Sequence, residues 1–403
     1  MKTISFIISN FNTKKYTKWC YNSIRKNLGY RHEIVMMDDG SKDGTWELLQ
    51  ELKSQDINMV IHRNEENIGI AYSYNKMVEL ASNEIVCMLH SDMYVPPKFD
   101  EIMLKYMKEY DFITPLRVEP NIGYPESIDK FLIDFGTRSE EFKENKFINW
   151  HEKNIEDSKG RVEQRMFFPW MIKKTLYDKV GGNDLLFLKY MVDDDDFYLR
   201  IKMSGAKYCQ LFETAVYHMP SKSVRQREEG HIDIDNQYNK SIRNFVRKWG
   251  CWPSGVWDEN RDMTVPPKYD IGLVVDECDL GKLHALEPWA STIYVKHNHL
   301  FNSSKELISK YISNEQPNTM ILLSEKIKLY DYKKDNDIIL RFSGREITEN
   351  NVQEKLQFIF DIQKIIDESG EIGEMEYDIF HLNIRVMNRI ESNLKVNKRR
   401  RFA

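Results

Sequence analysis

The chain has 403 residues, and at about 150 residues per domain it is long enough for two or three folded units. Apolar residues make up 41% and charged residues 30%, a balance that excludes fibrous and disordered classes. Lysine and arginine total 58 against 63 acidic residues, a net charge of −5, so no bulk cationic field draws the chain to nucleic acid or anionic lipid. The cysteines, Cys20, Cys87, Cys209, Cys251 and Cys278, include no C-x-x-C pair, so neither a disulfide framework nor a zinc knuckle is indicated. Ile4–Ile8 is too short for a signal-peptide core, and no apolar stretch reaches the length of a membrane span. The expectation is a cytoplasmic protein without a membrane span.

The first 110 residues alternate β-like runs with amphipathic stretches, the pattern of a parallel sheet with crossover helices. Strands are expected at Ile4–Ile8, Glu33–Met37, Ile57–Ile61 and Glu84–Leu89, and helices at Lys14–Leu28, Thr45–Leu52 and Gly69–Leu80. Residues 121–163 are polar and read as an insertion or lid. Beyond a strand-like stretch at Phe167–Ile172 come the turn Gly181-Gly182, the run Asp193–Asp196, a helix Phe197–Ser204, strands at Ala206–Phe212 and Thr214–Tyr217, and a basic helix Ser241–Trp249. The Pro-rich stretch 253–267 is the expected linker, separating residues 1–252 from a smaller α/β unit at 268–403 with a basic tail. In that unit Tyr269–Val275, Met320–Leu323 and Ile338–Phe342 are expected as strands, and Ser303–Ile312 and Val352–Ile366 as helices.

Three places concentrate groups that do chemistry. Asp38-Asp39-Gly40-Ser41 ends a strand, where carboxylates of an α/β sheet can meet a nucleotide, although Asp-Gly and Ser also suit a turn. His90-Ser91-Asp92 ends another strand, and a carboxylate beside a histidine can hold a divalent cation. Asp193, Asp194, Asp195 and Asp196 repel one another, which raises carboxyl pKa values and suits a general base; helix N-terminal acids account for one or two of them. His218, after a strand, can complete a metal site through a neutral imidazole.

Taken in order, Ile4–Ile8, Asp38-Asp39-Gly40-Ser41-x-Asp43-Gly44-Thr45, Asn67-x-Gly69 with Asn75, His90-Ser91-Asp92, Val180–Asp184, Asp193-Asp194-x-Asp196-Phe197-x-Leu199-Arg200, Gly205, Val216-Tyr217-His218 and Lys248-Trp249-Gly250 resemble family 2 glycosyltransferases over about residues 1–250. The resemblance implies a GT-A fold, a mixed sheet flanked by helices. It implies an inverting, metal-dependent transfer of a sugar from a nucleotide-sugar donor to a hydroxyl of a saccharide or glycan; UDP is the first expectation for the nucleotide, ahead of thymidine or guanosine donors, because a carboxylate such as Asp39 accepts well from an imide N–H, which uracil and thymine both offer. It further implies that Asp39 binds the base, that Asp92 and His218 hold Mn²⁺ or Mg²⁺ and the diphosphate, and that Asp194 is the general base, with Asp193 and Asp195 as substitutes. Asn67, Ser91 and His90 fall in the donor site. His90 stands where the family has the first acid of D-x-D, and Asp193 stands where it has Glu.

The alternatives are glycosylation of modified bases on DNA, a nucleotidyltransferase using Lys14 or Lys15, and a non-catalytic nucleotide-sugar-binding protein. The DNA reading draws on Arg225, Arg227, Arg243, Arg247, Lys248 and Lys398-Arg399-Arg400-Arg401. Asp276-Glu277-Cys278-Asp279 offers a second nucleotide or metal site, or a turn with solvated acids.

Overall fold

Strands that read as unbroken apolar runs belong inside a sheet covered on both faces. In β1 (Ile4–Asn10), Ile4, Phe6, Ile7 and Ile8 are all fully buried. The computed structural model describes residues 3–122, 127–128, 130–189, 191–220, 234–315 and 319–390. After β1 come α1 (Lys14–Asn27), β2 (Glu33–Asp39), α2 (Thr45–Gln55), β3 (Met59–Asn64), α3 (Ile70–Leu80), β4 (Ile85–His90), β5 (Met93–Tyr94) and α4 (Phe99–Tyr106). They are followed by β6 (Phe112–Glu119), β7 (Lys130–Leu132), α5 (Glu144–Asp157), β8 (Val162–Glu163), β9 (Trp170–Lys173), α6 (Lys174–Val180), α7 (Asp193–Met203) and β10 (Tyr208–His218).

These strands form one sheet in the order β3-β2-β1-β4-β9-β6-β10-β5, with β7 beside β6 and β8 beside β10. β3, β2, β1 and β4 run parallel, β9 lies antiparallel between β4 and β6, and β10 runs parallel to β6. The expected class, a mixed sheet flanked by helices with a second α/β unit, is the one observed. Because β9 reverses direction, β4, β6 and β10 all end at the same edge, and the motif residues collect there.

Several expected elements differ in the structure. Residues 121–163 are not simply a polar excursion: α5 buries Phe147, His151 and Asn154, which share one helical face. His151 Nε2 lies 2.9 Å from Thr214 Oγ1, and Asn154 donates to Phe212 O at 2.7 Å. Two of the three inward residues are polar, so hydrophobic periodicity does not reveal the helix. Ala206–Phe212 and Thr214–Tyr217 are one strand, β10, whose register against β6 shifts between Leu211 and Ala215.

The second unit comprises α8 (Ile234–Trp249), β11 (Ile271–Cys278), α9 (Leu280–Leu286), β12 (Thr292–His297), α10 (Ser304–Ser313), α11 (Met320–Lys326), β13 (Ile327–Leu329), β14 (Ile338–Ser343), α12 (Val352–Ser369), β15 (Gly373–Tyr377) and β16 (Phe380–Ile384). Its sheet order is β13-β12-β11-β14-β16-β15, the first four strands parallel. Met320–Leu323 is helical rather than a strand, because only Leu323 of that run is buried while Ile321 is 71% exposed. By packing, Met1–Asp184, Leu188–Ile234 and Trp257–Met263 form the first unit, and Leu185–Phe187, Asp235–Val256 and Thr264–Ala403 the second. Residues 235–249 of α8 therefore count with the second unit, whose core takes Val246 and Ile242, whereas the sequence puts the linker at 253–267. Gly344, just after β14, lies so close to the end of β11 that a Cβ would stand 2.7 Å from Glu277 O and 2.9 Å from Asp276 O.

Candidate active site

The site is assembled at the carboxyl edge of the first sheet. β4 ends on His90, and the turn after it carries Ser91 and Asp92, both 6% exposed. The short strand β5 then pairs antiparallel with β10, Met93 opposite His218, and Met219 N donates to Asp92 O at 3.0 Å. This pairing sets His218, from 126 positions later in the chain, beside Asp92, with Nε2 3.4 Å from Oδ1. One ligand atom each from His90, Asp92 and His218 lies within 4.8 Å of the others, an arrangement that can hold a metal ion.

Burial lowers the pKa of His90 to about 4, with the neighbouring His218 adding to the effect, so its ring is neutral and has a lone pair for a metal. Burial also opposes charge on His218, but Asp92 and Glu119 outweigh it and raise its pKa. The His90 ring stacks on Phe168 at 4.6 Å, and the Arg117 guanidinium lies 4.1 Å from the centre of the same Phe168 ring. Glu119 accepts from Lys130 Nζ at 2.8 Å, and its Oε1 lies 2.8 Å from His218 Nδ1. Burial would raise the Glu119 carboxyl, yet the hydrogen bond and charge of His218, with Arg117 and Lys130, bring it down to about 2.

The four aspartates begin α7 itself, four residues earlier than expected, with Val192 at φ 55° just before them. They divide by partner. Asp196 is fully buried and holds Arg200, Nε to Oδ2 at 2.9 Å, while Arg200 NH1 donates to Val180 O and Gly182 O at 2.7 and 2.6 Å. Asp196 therefore ties α7 to the turn after α6. Asp193, Asp194 and Asp195 all have raised pKa values, burial being the largest cause. Asp193 and Asp195 are raised further by their acidic neighbours, whereas Asp194 is moderated by the Asp195 backbone N–H and by Arg117.

Asp39, at the end of β2, holds the loop before α3. Its Oδ1 accepts from Asn64 Nδ2 at 2.6 Å and Ile68 N at 3.0 Å, and its Oδ2 from Gly69 N at 2.9 Å. A carboxylate offers about four acceptor positions, so one remains. The loop is tight: Gly69 has φ 121°, and a Cβ there would lie 2.2 Å from Lys189 N. Asn67 in this loop has a buried Oδ1 without a hydrogen-bond partner. Asn75 lies in α3, accepts from Tyr177 Oη and Asn183 N at 2.6 and 2.8 Å, and holds the 181–183 turn.

Glu119, Arg117, Lys130 and Phe168 are site residues that the motifs do not announce. Phe112–Glu119 has an apolar strand-like run, but Pro115 inside it argues against a central strand. Pro115 is accommodated because it pairs with Leu211, immediately before the register shift in β10.

Other candidates are structural. Arg243 and Arg247 do not form a phosphate-binding face. They lie in the second unit beside the fully buried Glu287, Arg247 NH2 to Oε2 at 2.7 Å and Arg243 NH2 to Oε2 at 3.6 Å. Arg225, Arg227 and Lys398–Arg401 lie outside the described residues. In the run after β11, Glu277 pairs with Arg345 at 3.1 Å and Asp279 caps α9 by accepting from Lys282 N at 2.9 Å, the bonding of a turn. Lys14 donates its backbone N–H to Asp43 Oδ2, and Lys15 pairs with Glu140.

Residues 5–165 match the family model described as glycosyl transferase family 2. The glycosyltransferase GlyG of Streptococcus pneumoniae is 29% identical over 108 residues, 27% of this chain and 36% of that protein. An uncharacterized glycosyltransferase of Methanocaldococcus jannaschii is 23% identical over 222 residues, 54% of this chain and 71% of that protein. Among solved structures, GalNAc-T7 with UDP, GalNAc and Mn²⁺ superposes with a TM-score of 0.46 at 17% identity, covering 65% of this chain and 49% of that one. The first curated relatives are matched over only about a third of their length. Residues 5–165 of the chain are thus similar to family 2 glycosyltransferases. Among the described residues, no helix is long and apolar enough to cross a membrane.

Proposed function

We propose that the first unit transfers a sugar from a nucleotide-sugar donor, most simply a UDP-sugar, to a hydroxyl of a saccharide or glycan, with inversion at the anomeric carbon. The observation that carries this reading is the convergence of His90, Asp92 and His218 at one sheet edge, the first two inside the stretch 5–165 that matches the glycosyl transferase family 2 model. The two imidazoles and one carboxylate fit a divalent cation such as Mn²⁺, whose charge would offset that developing on the departing diphosphate. The remaining acceptor position of Asp39 suits the imide N–H of uracil, and the unpartnered Oδ1 of Asn67 suits a donor hydroxyl. Asp194 removes the acceptor proton. Burial raises its pKa, which strengthens it as a proton acceptor, while the Asp195 backbone N–H and the Arg117 charge oppose that rise and favour its ionised form. A single base facing the leaving group across the sugar gives inversion.

The test is a screen of nucleotide sugars for nucleotide release with and without Mn²⁺, comparing the wild type with Asp92→Ala and Asp194→Asn. Metal-dependent release lost in both variants is the expected result. Full release by Asp194→Asn removes it as the base, and the absence of donor binding removes the catalytic reading.

A further inference from the structure

The carboxylate behind His218 belongs to none of the sequence motifs. Glu119 is the last residue of β6 and His218 the last of β10, and these parallel strands pair Tyr217 with Val118 immediately before them. Adjacent strand ends thus deliver the two side chains to each other. Both are buried, at 3% and 4% exposure. Glu119 is fixed from behind: Lys130 Nζ donates to its Oε2 at 2.8 Å, and its backbone carbonyl accepts from Ile133 N at 2.9 Å.

From this geometry we infer that Glu119 is a positioning residue that sets the tautomer of His218, placing the proton on Nδ1 and leaving the Nε2 lone pair toward Asp92 for a divalent cation. The inference rests on the metal reading above. In a neutral imidazole one nitrogen donates and the other accepts. A carboxylate only accepts, so a proton on Nε2 alone would leave two acceptors facing each other at the shorter contact, 2.8 Å to Glu119, whereas at the longer 3.4 Å contact with Asp92 a cation can bridge the two lone pairs in place of a proton. With the proton on Nδ1 the Glu119 contact is a charge-assisted hydrogen bond, and the ring is held in register with Asp92 and His90. A carboxylate behind a metal-bound histidine fixes ring orientation and raises the basicity of the ligating nitrogen, and its loss costs roughly 10–100-fold in metal affinity.

The experiment uses the full chain and measures Mn²⁺ affinity by electron paramagnetic resonance, without substrate. Glu119→Met is expected to bind Mn²⁺ about 10–100-fold more weakly than the wild type. Glu119→Gln, which keeps one acceptor oxygen, is expected to recover part of the loss. Equal affinity in the wild type and Glu119→Met overturns the inference and leaves the metal reading standing. A wild type that does not bind Mn²⁺ overturns both. A readout that needs no Glu119 variant is nitrogen NMR of the histidine-labelled, Zn²⁺-loaded wild type, with the His218 signal assigned from its loss in His218→Ala. A protonated Nδ1 with a metal-shifted Nε2 is expected, and the reverse pattern overturns the inference.

Discussion

Asp196 and Arg200, one turn apart on α7, are both completely buried and bonded to each other. Of the four consecutive acids, Asp196 is thereby committed to the scaffold, and the proposed general base falls among the three before it.

Removing Asp196 strands a buried guanidinium. Asp196→Ala is expected to cost about 3–5 kcal/mol of stability, read as a lower urea midpoint. Asp194→Asn, which relieves repulsion, is expected to leave the midpoint nearly unchanged while abolishing turnover. The reverse pattern would exchange the two roles.

Two imidazoles in the candidate metal set favour transition-metal cations over Mg²⁺, which prefers oxygen ligands. Wild-type nucleotide release is expected to be faster with Mn²⁺, which accepts imidazole more readily, than with equimolar Mg²⁺. His90→Asp, which supplies the oxygen in place of the ring, should narrow that gap. A wild type indifferent to the choice of cation argues against His90 as a ligand.

Gly69→Ala tests the donor loop. The substitution puts a methyl against the Lys189 backbone at a φ that alanine avoids, so a loss of more than about 1 kcal/mol is expected, together with a raised KM for the donor. An unchanged KM would separate this loop from donor binding.

The second unit should be acid-sensitive through Glu287. Burial alone would raise its carboxyl, but the charges of Arg247, Lys326 and Arg243 hold it well below the usual carboxylate range. A carboxyl depressed in the folded state contributes stability that is present above the unfolded pKa and lost as pH falls through the folded one. The stability advantage of the wild type over Glu287→Gln is therefore expected to be full at pH 7 and to shrink progressively below about pH 4.5. Chemical denaturation of both proteins across that range reads it directly, and an advantage that stays constant counts against the pairing.

Much of the first unit was legible because its central strands are buried on both faces and its candidate site residues sit in short motifs at strand ends. β1, β2 and β4 begin within a residue of their expected starts. The site was legible as separate pieces, His90-Ser91-Asp92 and His218, and the family resemblance implied that Asp92 and His218 act together, while the β5–β10 pairing that joins them has no signal of its own in the sequence. Glu119 was hidden for a different reason: Pro115 disguises its strand, and a lone glutamate has no spacing to betray it. α5 escaped notice because His151 and Asn154 face inward through hydrogen bonds rather than apolar contact.

The close approach of Gly344 bears on what the second sheet can do. In open α/β sheets ligands settle outside the strand ends where the winding direction reverses, here between β11 and β14. At that point the 344–346 turn leaves no room even for a methyl group against the Asp276 and Glu277 carbonyls. The second unit therefore winds like an open α/β sheet, and at the point where the winding reverses any residue larger than glycine at position 344 would push β11 and β14 apart.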